Sequence, residues 1–117
     1  MTKLMPICLA VAVLMAACGT APAISTPSAP YDVVGVDGQA NWILIDPIIS
    51  TDKAALTEIA EFVCLPQDTC QALFWDDPLM VPRHGPMSAT QDAAMVASYT
   101  VNKKAGFTEM LVFGPSE

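Results

Sequence analysis

The stretch "FWDDP" at residues 74–78 contains side chains suited to binding a small ligand or a cation. Trp75 precedes the adjacent carboxylates of Asp76 and Asp77, and carboxylate oxygens are the ligands that calcium prefers. Asp46 closes another apolar run and could add a further carboxylate at the same sheet edge. However, neighbouring residues of an extended chain point to opposite faces, and aspartates before proline commonly start turns. Ligand binding by these residues is therefore an alternative hypothesis, and turn formation is the simpler interpretation.

The sequence contains no recognisable catalytic signature. Asp76 with Glu58 or Glu61 could supply an acid and a base, but a small domain has little room for the cleft that such a pair needs. Ser88 begins "SATQ", a capping box that starts a helix, and lacks the sequence frame of a nucleophile. His84 is the only histidine, too few with the available thiols for a zinc site. We therefore expect no enzymatic activity, no catalytic residue, no metal and no cofactor.

Two further features have side chains that partners often contact. Trp42 and Trp75 lie in apolar runs, so we expect them to fill the core rather than to form an exposed platform for a sugar or a peptide. Arg83 and His84 lie in "PLMVPRHGPM", a predicted loop, and loops carry many of the contacts between proteins. Solvated loop charge is the simpler interpretation of this second pair.

Alternating apolar runs and turn residues predict the strands that position these side chains. An Asp-Gly dipeptide at 37–38 predicts a tight turn, so the runs on either side of it should pair as a hairpin. Proline and aspartate close the later apolar runs. The predicted strands are 33–36, 42–45, 70–75 and 108–113.

Two helices are predicted between these strands. Apolar residues recur at helical spacing from Thr51 to Val63, with Ser50 or Thr51 as the N-cap. The capping box at Ser88 predicts a second helix that continues to about Val101. This alternation favours an α+β two-layer sandwich of three or four strands with both helices on one face. A ferredoxin-like arrangement is one candidate.

The N-terminal segment has the features of a removable leader. Lys3 is followed by an uncharged run of 14 residues, Leu4 to Ala17. As a helix this run would rise only about 21 Å, which is shorter than the roughly 30 Å hydrocarbon core of a bilayer. Its length is typical of the apolar region of a signal peptide.

The leader ends in "MAAC", residues 15–18, which resembles the lipobox of bacterial lipoproteins, although Met15 stands where that family usually has leucine. The resemblance implies that Cys18 becomes the lipidated N-terminus, and two or three acyl chains hold a protein on a bilayer almost irreversibly. Gly19, rather than aspartate, follows the cysteine, which within this family implies the outer membrane. The alternative is ordinary secretion after cleavage at "APA", residues 21–23, which would leave a free periplasmic or secreted protein.

The remaining cysteines predict a disulfide. Cys8 lies in the leader and the lipobox assigns Cys18 to lipid, so Cys64 and Cys70 remain as a pair in an oxidising compartment. Five residues separate these cysteines, whereas only two separate the cysteines of redox-active thioredoxin-like motifs. We therefore expect a structural disulfide.

Composition divides the chain into a leader at 1–17, a tether at 18–30 and one domain at 31–117. Small residues, proline and threonine dominate the tether, a composition that cannot form a core. After loss of Lys3, twelve acidic residues face four basic ones, a formal charge of −8. Such a chain repels phosphate backbones, so nucleic acid is not expected as a partner.

These patterns favour a membrane-anchored, non-enzymatic lipoprotein of the cell envelope that acts as a protein-interaction module. The order of "FWDD", "PMSATQDAAMVASYTVN" and "GF" also resembles small secreted bacterial proteins without an assigned function. That second resemblance covers about 40 residues of the chain and implies a compact domain without catalytic residues.

Overall fold

A computed structural model describes residues 26–113, which form a five-stranded mixed sheet and two α-helices. The α+β class is confirmed, but five strands replace the expected three or four. The element order ββαβαββ also differs from the βαββαβ order of a ferredoxin-like fold. The elements are β1 (Tyr31–Asp37), β2 (Ala40–Ile45), a 3-10 turn (Pro47–Ile49), α1 (Lys53–Val63), β3 (Thr69–Trp75), α2 (Ala89–Ala93), β4 (Ala97–Asn102) and β5 (Phe107–Val112).

The strands lie side by side in chain order from β1 to β5. Neighbours are antiparallel except β2 and β3, which are parallel and are connected through α1. The predicted hairpin is confirmed, because Asp37 pairs with Ala40 across a turn in which Gly38 has a φ of 63°. Glycine adopts that left-handed conformation without steric cost, so the Asp-Gly dipeptide sets the register of β1 on β2.

Helix α1 begins at Lys53, two residues later than predicted. Asp52 is its N-cap, and the Asp52 carboxylate accepts the backbone N–H of Ala55 at 3.1 Å. The expected caps, Ser50 and Thr51, precede the helix because the chain first makes the 3-10 turn after β2. A carboxylate at this position also interacts favourably with the positive end of the helix dipole.

The predicted disulfide is present and ties the end of α1 to the start of β3. Cys64 and Cys70 are both buried, and their Cα atoms lie 5.7 Å apart. Lys103, in the turn between β4 and β5, donates from Nζ to the carbonyl of Leu65 at 2.8 Å and to that of Cys64 at 3.3 Å. A cation is favourable at the negative end of a helix. The C-terminal end of α1 is therefore held by a covalent bond and by a charged donor.

The second predicted helix is wrong over most of its length. Its capping box is confirmed, since Ser88 Oγ accepts from the N–H of Gln91 and the Gln91 side chain accepts from the N–H of Ser88. The helix ends at Ala93, however, and the following segment is strand β4. Burial alternates along β4 with a period of two, which fits a strand and not a helix. This strand raises the strand count to five.

The two helices lie on opposite faces of the sheet, not on one face as predicted. Helix α1 covers one face, here called the helix face, where Leu56 packs with Ile43 and Phe74. Residues 76–96, which include α2, cover part of the opposite face, here called the loop face. Both faces need a cover because β2 and β3 place large apolar side chains on each of them. The buried residues of the loop face are Trp42, Leu73, Trp75 and Val81.

The chain before β1 contacts the domain. Pro27 is buried, Ala29 packs against the helix-face core, and the Ser28 N–H lies 3.5 Å from a carboxylate oxygen of Glu58. The leader, Cys18 and the first part of the tether lie outside the described residues. Between residues 26 and 113, no helix combines the length and the apolar character required to cross a membrane.

Replacing both bridged cysteines, in Cys64→Ala/Cys70→Ala, should lower the free energy of unfolding by about 2 kcal/mol, because the bridge restricts the unfolded chain. Urea unfolding of the oxidised parent and of the double variant measures the difference. The reduced parent is the control and should unfold close to the variant. Equal urea midpoints for the oxidised parent and the variant would contradict a stabilising disulfide.

Candidate functional site

The predicted ligand residues at the end of β3 make local structural contacts. The Trp75 ring is completely buried, and its Nε1–H donates to the carbonyl of Gln91 at 2.7 Å. The Asp77 carboxylate accepts the N–H of Leu79 at 2.9 Å and so starts a turn. Asp76 is half-buried beside it. The structure thus places Trp75 in the core and Asp77 in a turn, and ligand binding by this group stays a prediction.

Asp46 lies at the same end of the sheet as Asp76 and Asp77, because β2 and β3 run parallel. Its carboxylate accepts the N–H of Ile48 at 2.9 Å and caps the 3-10 turn. Within residues 26–113, no group of three or more His, Cys, Asp or Glu side chains lies close enough together to hold a metal ion. The carboxylates of Asp46, Asp76 and Asp77 therefore lie at the same end of the strands without forming such a group.

The tryptophan and loop residues occupy the positions that the simpler interpretations predict. Trp42 is buried on the loop face. A Cβ added to Gly35 would lie 2.7 Å from the Cε3 atom of Trp42. That contact leaves no exposed aromatic platform at Trp42. Arg83 and His84 are exposed in the loop before α2. They remain available for contact with another molecule.

The carboxylates considered as an acid and base pair are separated by the fold. Glu61 lies near the C-terminal end of α1, which the disulfide attaches to Cys70 at the start of β3. Asp76 follows the other end of β3, about 20 Å away along the strand. Glu58 faces the segment before β1, near the N–H of Ser28. The structure therefore does not bring Asp76 and Glu61 together.

An exposed and partly apolar surface lies on the loop face of β4 and β5. The strand register places Leu111 opposite Ser98 and Glu109 opposite Thr100 on this face. The apolar side chains of Phe107, Leu111 and Phe113 are 47%, 44% and 53% exposed. We call this surface the open face and define it by Ser98, Thr100, Phe107, Glu109, Leu111 and Phe113.

A groove of about 490 Å³ separates the open face from the residues around α2. Methionine side chains are flexible and adapt to irregular apolar partners, and two of them line this groove. The charged group at the groove is a carboxylate, so an anionic ligand is disfavoured there. The arrangement suits an apolar or cationic segment of another molecule. The lining includes Leu73, Met87, Asp92, Met95, Ser98 and Phe113.

Sequence reasoning identified β5 as a strand but missed this surface. The available signal is that β5 is apolar on both sides, with Phe107 and Leu111 on one face and Met110 and Val112 on the other. A strand with one solvated face normally alternates between apolar and polar residues. The excess of apolar residues on the exposed side was therefore visible in the sequence, although its position in the sheet was not.

A second groove, of about 360 Å³, lies on the helix face beside the disulfide and is lined in part by Tyr99 and Glu61. Burial of the Tyr99 ring, and then the negative charge of Glu61, raise the pKa of the Tyr99 hydroxyl above 10.0. Both effects disfavour the tyrosinate form in the folded protein. The hydroxyl therefore stays protonated well above neutral pH.

Ionisation of Tyr99 should destabilise the fold at alkaline pH. Because the folded-state pKa is raised, the contribution of Tyr99 to stability is complete below about pH 10 and is lost as the pH rises through the raised value. Urea unfolding between about pH 8 and about pH 11 should show a smaller alkaline loss of stability in Tyr99→Phe than in the parent. Tyr31→Phe is the control and should keep more of that loss. The same alkaline profile for both variants would contradict the prediction.

Comparisons with protein-family models, with curated proteins and with solved structures found no match for this chain.

Proposed function

We propose that this chain is a lipoprotein of the bacterial cell envelope, anchored to a membrane through lipid on Cys18. In this proposal the folded domain acts by binding another envelope protein and not by catalysis. The anchor belongs to the outer membrane and the domain faces the periplasm.

The sequence "MAAC" at the end of a short uncharged run is the observation that carries the anchoring proposal. The run is too short to span a bilayer, so the position of Cys18 suits a processing and lipidation site. The Cys64–Cys70 disulfide also supports an oxidising compartment outside the cytoplasm, because such bonds are rare in reducing compartments.

The open face and its groove support a function by contact. Phe107, Leu111 and Phe113 expose apolar surface next to a groove lined by Met87 and Met95. The chain also carries more acidic than basic residues, which favours partners with a cationic rim around an apolar centre. A periplasmic or membrane protein with such a surface is the proposed partner.

The length of chain between the lipid and the domain limits where that partner lies. Pro27 is already buried against the domain, so residues 19–26 are the longest free connection to Cys18. Eight residues span at most about 30 Å. The domain therefore contacts a partner at or near the membrane surface.

The anchoring proposal predicts a diacylglyceryl mass on Cys18 and loss of residues 1–17. Mass spectrometry of the mature N-terminus tests this, with Cys18→Ser expected to lose both the lipid and the membrane association. Cys8→Ser is the matched control, because Cys8 would be discarded with the leader, and it should behave as the parent does. A mature chain that starts at Ile24 without lipid would instead establish ordinary secretion.

The contact proposal predicts that a photoreactive residue in place of Leu111 cross-links to a different envelope protein in intact cells. Leu111 lies at the centre of the open face, 44% exposed. The same residue in place of Ala54, which is exposed on α1, is the matched control and should give no such adduct. The absence of an adduct at Leu111, or the same adduct from both positions, would contradict binding through the open face.

A further inference from the structure

Strand β5 is the last strand of the sheet, and within residues 26–113 no strand pairs with its outer edge. Its other edge pairs with β4, and the N–H of Phe113 donates to the carbonyl of Val96 at 2.8 Å. In an antiparallel ladder, the backbone groups of successive residues point alternately to the two neighbouring positions. The odd-numbered residues of β5 therefore bond to β4. The even-numbered residues, Thr108, Met110 and Val112, direct their N–H and C=O groups outward.

Edge strands that avoid pairing usually carry proline, lysine, a bulge or a cover. Strand β5 contains no proline or lysine, and it pairs with β4 without a register shift. The opposite edge strand, β1, also lacks proline and lysine, but its pairing is irregular. A register shift between Val33 and Gly35 interrupts it, and acidic residues lie near both of its ends. The loop around Arg83 also packs against the loop face of β1, since a Cβ on Gly35 would lie 3.0 Å from the Arg83 carbonyl oxygen. Strand β5 is therefore the edge that is suited to receive another strand.

We propose that β5 pairs with β5 of a second copy of this chain, antiparallel and about a two-fold axis at Met110. In this register Met110 lies opposite Met110 of the second copy, and Thr108 lies opposite its Val112. In each of these pairs, the outward N–H and C=O groups of one strand face those of the other. The N–H groups of Thr108, Met110 and Val112 in each strand therefore all have a carbonyl acceptor. A strand that offers its donors and acceptors symmetrically about one residue is complementary to itself.

Charge favours this register over its neighbours. Glu109 lies opposite Leu111 of the second copy, whereas an axis at Glu109 would place two carboxylates directly opposite each other, which is destabilising. Phe107 lies opposite Phe113 of the second copy on the open face, so the two exposed aromatic rings at each end of the pairing are covered together. An axis at Leu111 would leave Phe107 without that aromatic partner.

The resulting dimer has one continuous ten-stranded sheet and joins the two open faces into a single surface. The two-fold axis closes the assembly, because it uses the β5 edge of both copies. This inference goes beyond the proposed function and does not require lipid on Cys18. The mass of the mature N-terminus, measured on the same sample, reports the anchor separately from the dimer.

A cysteine at the axis tests the register in the full-length chain. Cα atoms of residues that exchange backbone hydrogen bonds across an antiparallel pair lie about 5.5 Å apart, a separation that a disulfide spans. Met110→Cys should therefore form a disulfide-linked dimer that disappears on reduction. Thr108→Cys is the matched control, on the same face of the same strand. In the proposed dimer the two Cys residues at position 108, one from each chain, would lie about 14 Å apart along the strand direction. The control and the parent should run as monomers on a non-reducing gel.

A second variant tests the edge without a new thiol. Thr108→Pro removes an outward N–H that β4 does not use, so the domain should fold while dimer association weakens about tenfold or more, since two symmetry-related hydrogen bonds are lost. Thr108→Ala keeps the N–H and should sediment as the parent does. A parent that sediments as a monomer under native conditions, equal cross-linking of both cysteine variants, or an adduct of Met110→Cys with a different protein would each overturn the second copy as the occupant of this edge.

Discussion

The central parallel pair of the sheet is buried on both of its faces, and the rest of the domain is arranged around that constraint. Along β2, Trp42 points to the loop face and Ile43 to the helix face, and along β3, Trp75 and Phe74 do the same. All four side chains are almost completely buried. Removing this much apolar surface from water is strongly favourable, but it requires two separate covers. Helix α1 supplies the first and residues 76–96 supply the second.

The two covers differ in kind, and the difference leaves part of the sheet exposed. Helix α1 is a regular element whose ends are held by Asp52 and by the disulfide. The loop-face cover is mostly irregular chain, attached by the Trp75 indole N–H and ordered by the capping box at Ser88. It packs over Leu73 and the tryptophans but leaves the loop face of β4 and β5 exposed. The open face therefore results from the path of residues 76–96, which cover the loop face of β2 and β3 and leave that of β4 and β5 uncovered.

Three of the aspartates serve as local hydrogen-bond acceptors. Asp46, Asp52 and Asp77 each accept a backbone N–H at the start of a turn or helix, where such donors have no partner within the element itself. Asp77 of "FWDDP" thus has a structural role that does not involve a ligand. The proposed function depends instead on exposed apolar surface, on the groove beside it and on the proposed lipidation of Cys18.

The sequence alone determined the features that depend on nearby residues. These are the Asp-Gly hairpin, helix α1, the capping box at Ser88 and the Cys64–Cys70 bridge, and each follows from a local conformational preference or from short chain separation. The tertiary structure alone decided that β4 lies between β3 and β5, that α2 covers the loop face and that β5 lies at an edge. Those features depend on which distant strands bury which side chains. The segment "ASYTVN" alternates apolar and polar residues, which is a local strand signal, whereas the capping box at Ser88 favours a helix before it. Where that helix ends and which strands flank β4 depend on pairing with β3 and β5, and that information is absent from any local window.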